Sequence, residues 1–299
     1  ASEMDFIPNI KEDAWLNYAK LSYEIGNPYQ SIPEVLSRFL KLFPKSAFKT
    51  EVESLLIDSY ISSNNYKEAL LLLTNKSKPV HKAAYQKVTF FRALELYNEA
   101  NYSESIALLD SSLTVSLDPI IYARAIYWSA EVAYQLLNYN MALENFKDFN
   151  QLPISGQLEE YTNLNYNIAY TYFKQKQYEN SIKYFKLFIN DKPSDVVVLS
   201  DAFLRTADCY FVTAKYSLAI EAYQSALDIN KIELDYATFQ IAVSNGFLGK
   251  TENKIKGLNK VMDYKSSYLK DQALFELANS YANQSKPVKA IQKYQELIS

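Results

Sequence analysis

The sequence predicts an all-α protein, built as a solenoid of about eight helix pairs. Three observations predict it: a pattern that recurs every 36 to 39 residues, helical spacing of apolar residues within each unit, and a scarcity of glycine. The 299 residues include only five glycines, whereas phosphate-binding loops and tight hairpins need residues that tolerate positive φ. Sheet-rich and dinucleotide-binding folds are therefore disfavoured.

The recurring pattern is a tyrosine, two variable residues, a small residue and an aliphatic residue. It begins at Tyr66, Tyr102, Tyr139, Tyr178 and Tyr216. Extending this register in both directions predicts unit starts near residues 12, 50, 86, 123, 162, 200, 235 and 271. Residues 1–299 are accordingly expected to form a single repeat array, as a fragment of a longer protein, with no second domain.

Small residues recur at two positions of each unit, numbered from these starts. Position 20 is small in seven of the eight units, beginning with Ser31, and position 21 is aliphatic in all eight. Position 8 is filled in order by Ala19, Ile57, Ala93, Ala130, Ala169, Ala207, Ala242 and Ala278. Because small side chains let two helices approach closely, each unit is predicted to be a pair of helices packed face to face.

These positions, with tyrosine near position 11 and an aromatic residue at position 24, resemble the tetratricopeptide repeat over residues 12–299. The resemblance implies a right-handed superhelix whose first helices line a concave groove for a protein or peptide partner. Residues 39–46 and 185–194 are more similar to repeats of bacterial envelope proteins, such as outer-membrane assembly lipoproteins and Tol-Pal-associated periplasmic factors. They imply a place in the bacterial periplasm or at the outer-membrane periphery.

Composition and single residues argue against catalysis and against several partner classes. The net charge of -3 disfavours nucleic acid, and no apolar run is long enough for direct membrane insertion. His81, the one histidine, is expected to be a solvated connector, and Cys209 a buried thiol. We therefore predict no enzyme, no cofactor and no catalytic or metal-binding residue. A buried polar cluster in the groove would favour an enzyme.

Aromatic residues at positions 5, 9 and 12 of the first helices share one helix face. We predict that they form a trough for a partner protein or peptide, continuous between the fourth and fifth units. The predicted binding residues are Phe90, Tyr97, Tyr127, Trp128, Glu131, Tyr134, Tyr166, Asn167, Tyr170, Phe173, Asp208 and Phe211. Packing between repeats is the alternative explanation of the same aromatic residues.

The sequence also allows two other functions, and it contains one basic segment. A purely architectural repeat segment would have no ligand, and a helical-repeat RNA binder would need a basic groove, whereas Glu131 and Asp208 interrupt this one. A phosphate-binding patch is the alternative to a solvated convex face for the basic segment, which contains Lys250, Lys254, Lys256, Lys260, Lys265 and Lys270. The sequence leaves the partner's identity and the oligomeric state open.

Overall fold

The protein is all-α in a computed structural model that describes residues 8–74, 81–229 and 231–298. These residues form sixteen α-helices and no strand. The helices are α1 (Pro8–Ile25), α2 (Ile32–Leu42), α3 (Lys49–Ser62), α4 (Tyr66–Thr74), α5 (Lys82–Asn98), α6 (Tyr102–Leu113), α7 (Pro119–Gln135), α8 (Tyr139–Gln151), α9 (Leu164–Lys174), α10 (Tyr178–Asn190), α11 (Val196–Val212), α12 (Tyr216–Ile229), α13 (Leu234–Phe247), α14 (Thr251–Asp263), α15 (Lys270–Asn283) and α16 (Pro287–Ile298). The predicted all-α repeat fold is confirmed.

The chain divides into two compact units. The N-terminal unit is Ala1–Gly156, with α1 to α8, and the C-terminal unit is Gln157–Ser299, with α9 to α16. Within each unit every helix packs against the next one along the chain. The first helix of each pair begins within four residues of the predicted start. The pairing of helices therefore follows the repeat, while a single array over residues 1–299 stays a prediction.

Close contact between the helices of a pair depends on position 8. All eight residues there are buried, and the seven alanines have no exposed surface. The Ser105 hydroxyl at position 20 donates to the Ala93 carbonyl at 2.8 Å, and Ser181 bonds Ala169 in the same way at 2.9 Å. In the seventh pair a Cβ on Gly257 would lie 2.7 Å from the Ala242 Cβ. The predicted packing at position 8 is confirmed.

A left-handed residue closes the turn between the two helices in seven pairs. It stands two residues before the second helix, and the amide that follows it donates to a carbonyl of the first helix, as Lys215 does to Tyr210 at 2.8 Å. This satisfies a carbonyl that the helix end would leave unpaired. The residues with positive φ are Asn64, Ala100, Leu137, Lys176, Ala214, Gly249 and Ser285.

In four pairs the tyrosine that begins the second helix packs edge-on against the first helix of its own pair. Tyr66 instead stacks on Phe91 of the next pair. Ring centroids are 5.6 Å apart for Tyr97 and Tyr102, and 5.5 Å apart for Tyr134 and Tyr139. Such edge-to-face aromatic pairs add to the stability that burial provides. The recurring tyrosine therefore anchors the turn in these four pairs.

Two expectations about single residues are wrong. Ser31 is exposed and caps α2, where Ser31 and Glu34 form a reciprocal capping box, and Val35 takes the buried place instead. The first pair therefore has a longer turn than the register assumes. His81 is 6% exposed rather than solvated. Cys209 is buried as expected, and burial raises the pKa of its thiol to about 12.

Candidate functional site

A network of tyrosine hydroxyls, carboxylates and one guanidinium group connects the first helices of the C-terminal unit. Tyr166 and Tyr170 lie one turn apart on α9, and both hydroxyls donate to Oδ2 of Asp201 on α11, the Tyr166 bond measuring 2.8 Å. Asp201 is followed after one turn by Arg205 and after two turns by Asp208. This spacing places all three side chains on one face of α11.

Arg205 is the centre of the network because it contacts three carboxylates. Its Nε lies 3.2 Å from Asp201, its Nη1 2.6 Å from Asp208 and its Nη2 2.8 Å from Glu233. The side chains of Arg205, Asp201 and Asp208 are 17%, 15% and 10% exposed. Burial lowers the pKa of Arg205, but Asp208 and Asp201 outweigh it, so the pKa is raised. The guanidinium group is therefore a fixed cation.

Asp208 extends the network to two further helices. Its Oδ1 accepts hydrogen bonds from Tyr223 on α12 at 2.6 Å and from Tyr236 on α13 at 2.8 Å. Burial, together with the Asp208 charge, raises the pKa of both tyrosines above the ordinary value. They stay protonated donors at neutral pH. The cluster is the kind that would favour an enzyme, but its tyrosine hydroxyls and guanidinium nitrogens bond within it and join α9, α11, α12 and α13.

Apolar side chains remain exposed beside this network. Phe247 at the end of α13 is 60% exposed, and Val212 at the end of α11 is 58% exposed. The Phe247 ring stacks on Tyr216, with centroids 4.6 Å apart, and meets Phe211 edge-on at 5.9 Å. We call Phe211, Val212, Tyr216 and Phe247 the aromatic ledge. Ring contacts hold its three aromatic side chains in place, and Val212 follows Phe211 on α11.

The N-terminal unit carries a smaller aromatic group on its first helices. Tyr97 on α5 meets Trp128 on α7 edge-on, with centroids 5.2 Å apart, and both rings are partly exposed. Glu131 and Tyr134, on later turns of α7, are also partly exposed. Burial, with smaller contributions from the charges of Tyr139 and Glu131, raises the pKa of Tyr134 to about 12. The group therefore combines aromatic faces with a carboxylate.

The predicted binding residues divide by burial. Phe90 is fully buried, Tyr127 is 6% exposed and packs on Phe146 and Phe149, and Asp208 is 8% exposed. These three serve the core, because a ligand cannot reach them. The structure leaves the others partly exposed, namely Tyr97, Trp128, Glu131, Tyr134, Tyr166, Asn167, Tyr170, Phe173 and Phe211. The continuous strip between the fourth and fifth pairs would cross from one compact unit to the other, and it stays a prediction.

Sequence reasoning missed several residues of this face. Asp201 and Arg205 were not predicted, although their spacing from Asp208 on one helix was visible in the sequence. Val212 and Phe247 both stand at position 13, just beyond the positions that defined the predicted stripe. Charged pairs at helical spacing indicate Asp201 and Arg205 beside Asp208, and apolar residues at position 13 indicate Val212 and Phe247.

The described residues contain neither a metal-binding cluster nor a helix that could span a membrane. Within residues 8–74, 81–229 and 231–298, no group of three or more His, Cys, Asp or Glu side chains is placed to hold a metal ion. Over the same part of the chain, no helix combines the length and the apolar character needed to cross a membrane.

The sequence matches the tetratricopeptide repeat at residues 164–194 and 272–299. These stretches cover α9 with α10, and α15 from its third residue with α16. The matches support the predicted resemblance of this chain to the tetratricopeptide repeat family. No curated protein matches the sequence. The two matched helix pairs begin close to the predicted fifth and eighth units, so two parts of the register have independent support.

Solved structures support the same fold. The C-terminal part of a TPR repeat-containing protein from Cytophaga hutchinsonii has a TM-score of 0.60 at 14% identity, covering 81% of this chain and 93% of that one. MamA, from residue 41 to its end, from Desulfovibrio magneticus RS-1 has a TM-score of 0.51 at 16% identity, covering 61% of this chain and 98% of that one. At such low identity these likenesses show the fold alone.

Proposed function

We propose that this protein is a non-enzymatic scaffold that holds a partner protein or peptide against its first helices. The aromatic ledge carries the proposal. Phe247 and Val212 are each more than half exposed, and Phe247 forms one patch with Tyr216 and Phe211. Contiguous exposed apolar patches, unlike scattered apolar residues, mark interaction sites. Aromatic side chains are also over-represented at protein interfaces, because they bury a large area at little cost in conformational entropy.

The network behind the ledge favours the same function. Arg205 pairs with two carboxylates of α11 and with Glu233 just before α13. Four tyrosine hydroxyls from α9, α12 and α13 donate hydrogen bonds to Asp201 and Asp208. A surface fixed before binding loses less conformational entropy when the partner arrives. Protein binding is also the activity that the tetratricopeptide resemblance implies.

Site-specific crosslinking tests this proposal in cells of the native organism. A benzophenone amino acid is placed at Phe247 or at Val212, and as a control at Leu187 or Leu218, which are each 42% exposed on second helices. We expect one discrete crosslinked protein from the two ledge positions and none from the control positions. Equal crosslinking from all four positions, or none from any, would contradict the scaffold function and favour an architectural segment.

A matched pair of double variants separates binding from folding. Val212→Ser with Phe247→Ser removes the exposed apolar surface, whereas Leu187→Ser with Leu218→Ser removes a similar surface elsewhere. Since Phe247 is largely exposed, we expect the ledge variant to lose only about 1 kcal/mol of stability, chiefly from its ring contacts. Partner capture should fail only for the ledge variant. Capture that survives in this variant would remove the ledge from the binding site.

The second part of the proposal is a place in a bacterial envelope assembly, in the periplasm or at the outer-membrane periphery. Its support is the resemblance of residues 39–46 and 185–194 to repeats of envelope proteins. Fractionation of the native bacterium, with an antibody against this chain, tests it. Recovery with periplasmic or outer-membrane markers is expected, and recovery with cytoplasmic enzymes would overturn this part alone.

A further inference from the structure

The C-terminal unit has a second concave surface, formed mainly by α12, α13 and α14. It is a groove of about 780 Å³, within the range of ordinary ligand sites. Its floor on α13 includes Thr238, Ile241 and Asn245. By helical periodicity these residues face roughly away from Tyr236 and Phe247, which belong to the network and the ledge. The groove is therefore separate from the proposed partner site.

The charge of the groove is positive. Lys256 and Lys260 on α14 and Lys293 on α16 line it, against one acidic residue, Asp263. Lys293 bonds Glu296 at 2.6 Å, but Lys256 and Lys260 form no ion pair with any described residue. Two exposed ammonium groups thus border a recess whose one carboxylate, Asp263, forms an ion pair with neither of them. We call this surface the lysine groove.

The rest of the lining suits a peptide backbone and aliphatic side chains. Leu227, Ile241 and Met262 supply apolar surface. The side-chain nitrogens of Asn245 and Asn259 donate to carbonyls of their own helices, each at 2.9 Å, so their oxygens remain as acceptors for backbone amides. Among the described residues that line the groove, none is aromatic. Stacking of nucleic-acid bases therefore has no platform here.

We propose that the lysine groove binds an acidic peptide segment in an extended conformation. Lys256 and Lys260 are one helical turn apart, about 6 Å along the axis of α14. Alternate side chains of an extended chain point the same way and are separated by about 6.6 Å. Carboxylates at alternate positions of the ligand therefore meet both ammonium groups, while aliphatic residues between them reach the apolar lining.

The lysine groove includes only two of the six lysines in the segment that was predicted to be a solvated convex face. The basic segment contains six lysines, of which Lys254 pairs with Glu276 at 2.6 Å. Lys250 and Lys265 flank α14 outside the groove. Only Lys256 and Lys260 of the segment line the recess. Four of the six lysines therefore fit a face without this ligand, and two are placed to bind one.

Fluorescence anisotropy with a labelled peptide tests the proposal. The probe is Ser-Glu-Leu-Glu-Val-Glu-Ser, and its neutral twin carries Gln in place of each Glu. Lys256→Gln with Lys260→Gln removes the two groove charges, and Lys250→Gln with Lys265→Gln removes the same net charge beside the groove. We expect the first variant to bind the acidic probe about tenfold more weakly and the second within about twofold of the original protein. Exchange of both groove lysines for Arg should keep the binding.

Several results would overturn the proposal. They are equal weakening by the two Gln variants, equal binding of the neutral twin, and no saturation of the acidic probe up to roughly 1 mM. Binding only to anionic lipid vesicles or to single-stranded RNA would also overturn it. The original protein and its three double variants are compared at matched helicity by circular dichroism. The ledge variants described above should bind the acidic probe normally, so failure of one site is distinguishable from failure of the other.

Discussion

Removal of the Arg205 charge should destabilise the C-terminal unit strongly. Arg205→Met keeps most of the aliphatic side chain and deletes the guanidinium group that faces Asp201 and Asp208. Both carboxylates are at most 15% exposed, so they would lie in a largely dry environment without a counter-charge. The cost therefore arises mainly from the charges left behind rather than from the bonds removed.

The magnitude follows from the burial of the partners. Deleting one member of a buried ion pair costs about 3 to 5 kcal/mol. Glu233, which is 45% exposed, adds little, roughly 0 to 1 kcal/mol, because water screens it. We expect a total loss of about 3 to 5 kcal/mol, a large part of the 5 to 15 kcal/mol typical of a folded domain. The effect should be confined at first to α11 and its neighbours.

Urea unfolding with a double-mutant cycle is the assay. Asp208→Asn keeps an oxygen that accepts from Tyr223 and Tyr236, and it removes one of the charges. The coupling between Arg205→Met and Asp208→Asn should be about 1 to 3 kcal/mol, since the two groups are in direct contact. Hydrogen exchange should show faster opening of α11 and α13 in Arg205→Met.

The N-terminal unit offers a control with the same chemistry in a wetter site. Arg92 lies 2.7 Å from Glu95 and 3.4 Å from Glu99, whose side chains are 35% and 57% exposed. Arg92→Met should therefore cost less than about 1 kcal/mol. If Arg205→Met were no more harmful than Arg92→Met, the network would not stabilise the fold as reasoned above.

Three further changes test the packing, the turns and the tyrosines. Ala169→Leu should lower stability by about 1 to 3 kcal/mol in urea, against under about 0.5 kcal/mol for the control Lys183→Ala, and equal effects would contradict the close helix contact. Ala214→Gly should raise stability by about 0.5 to 1 kcal/mol, because φ is 56° there, and a lower urea midpoint would refute the strain. Burial and Asp208 raise the pKa of Tyr223, so its neutral hydroxyl contributes its full stabilisation of the folded protein below pH 10. Above pH 10 this stabilisation decreases by about 1.4 kcal/mol per pH unit. Stability measured at pH 9 and pH 11 should fall less steeply in Tyr223→Phe, and an unchanged slope would refute this.

Most of the fold could be predicted from the sequence because the determining contacts are local and repeated. Ala169 and Ser181 are twelve residues apart, and this relation returns in Ala93 and Ser105. A pattern that recurs in every unit can be read without a structure. The prediction for Ser31 in the first unit was wrong because a longer turn places this residue at the helix cap. The other units give no sign of that difference.

The candidate site could be predicted only in part, because its contacts join different repeats. Tyr236 reaches Asp208 across 28 residues, and Tyr166 reaches Asp201 across 35. No periodic pattern requires these partners, since each repeat contributes a different residue. Burial was equally hard to foresee. Tyr127 and Tyr166 both occupy position 5, yet one is enclosed by Phe146 and Phe149 and the other keeps part of its surface exposed.

Comparison of two positions in the C-terminal unit separates folding from binding. Position 8 is alanine in all four pairs and has no exposed surface, because the second helix packs directly on it. Position 13 is exposed in all four pairs and holds Lys174, Val212, Phe247 and Asn283. Packing therefore leaves this position free to vary, and a charged or amide side chain is tolerated there. Two adjacent pairs nevertheless carry apolar residues, and Phe247 has ring contacts with Tyr216 and Phe211 although most of its surface stays exposed. Contact with a partner is the reason that we propose for an exposed apolar residue at both positions.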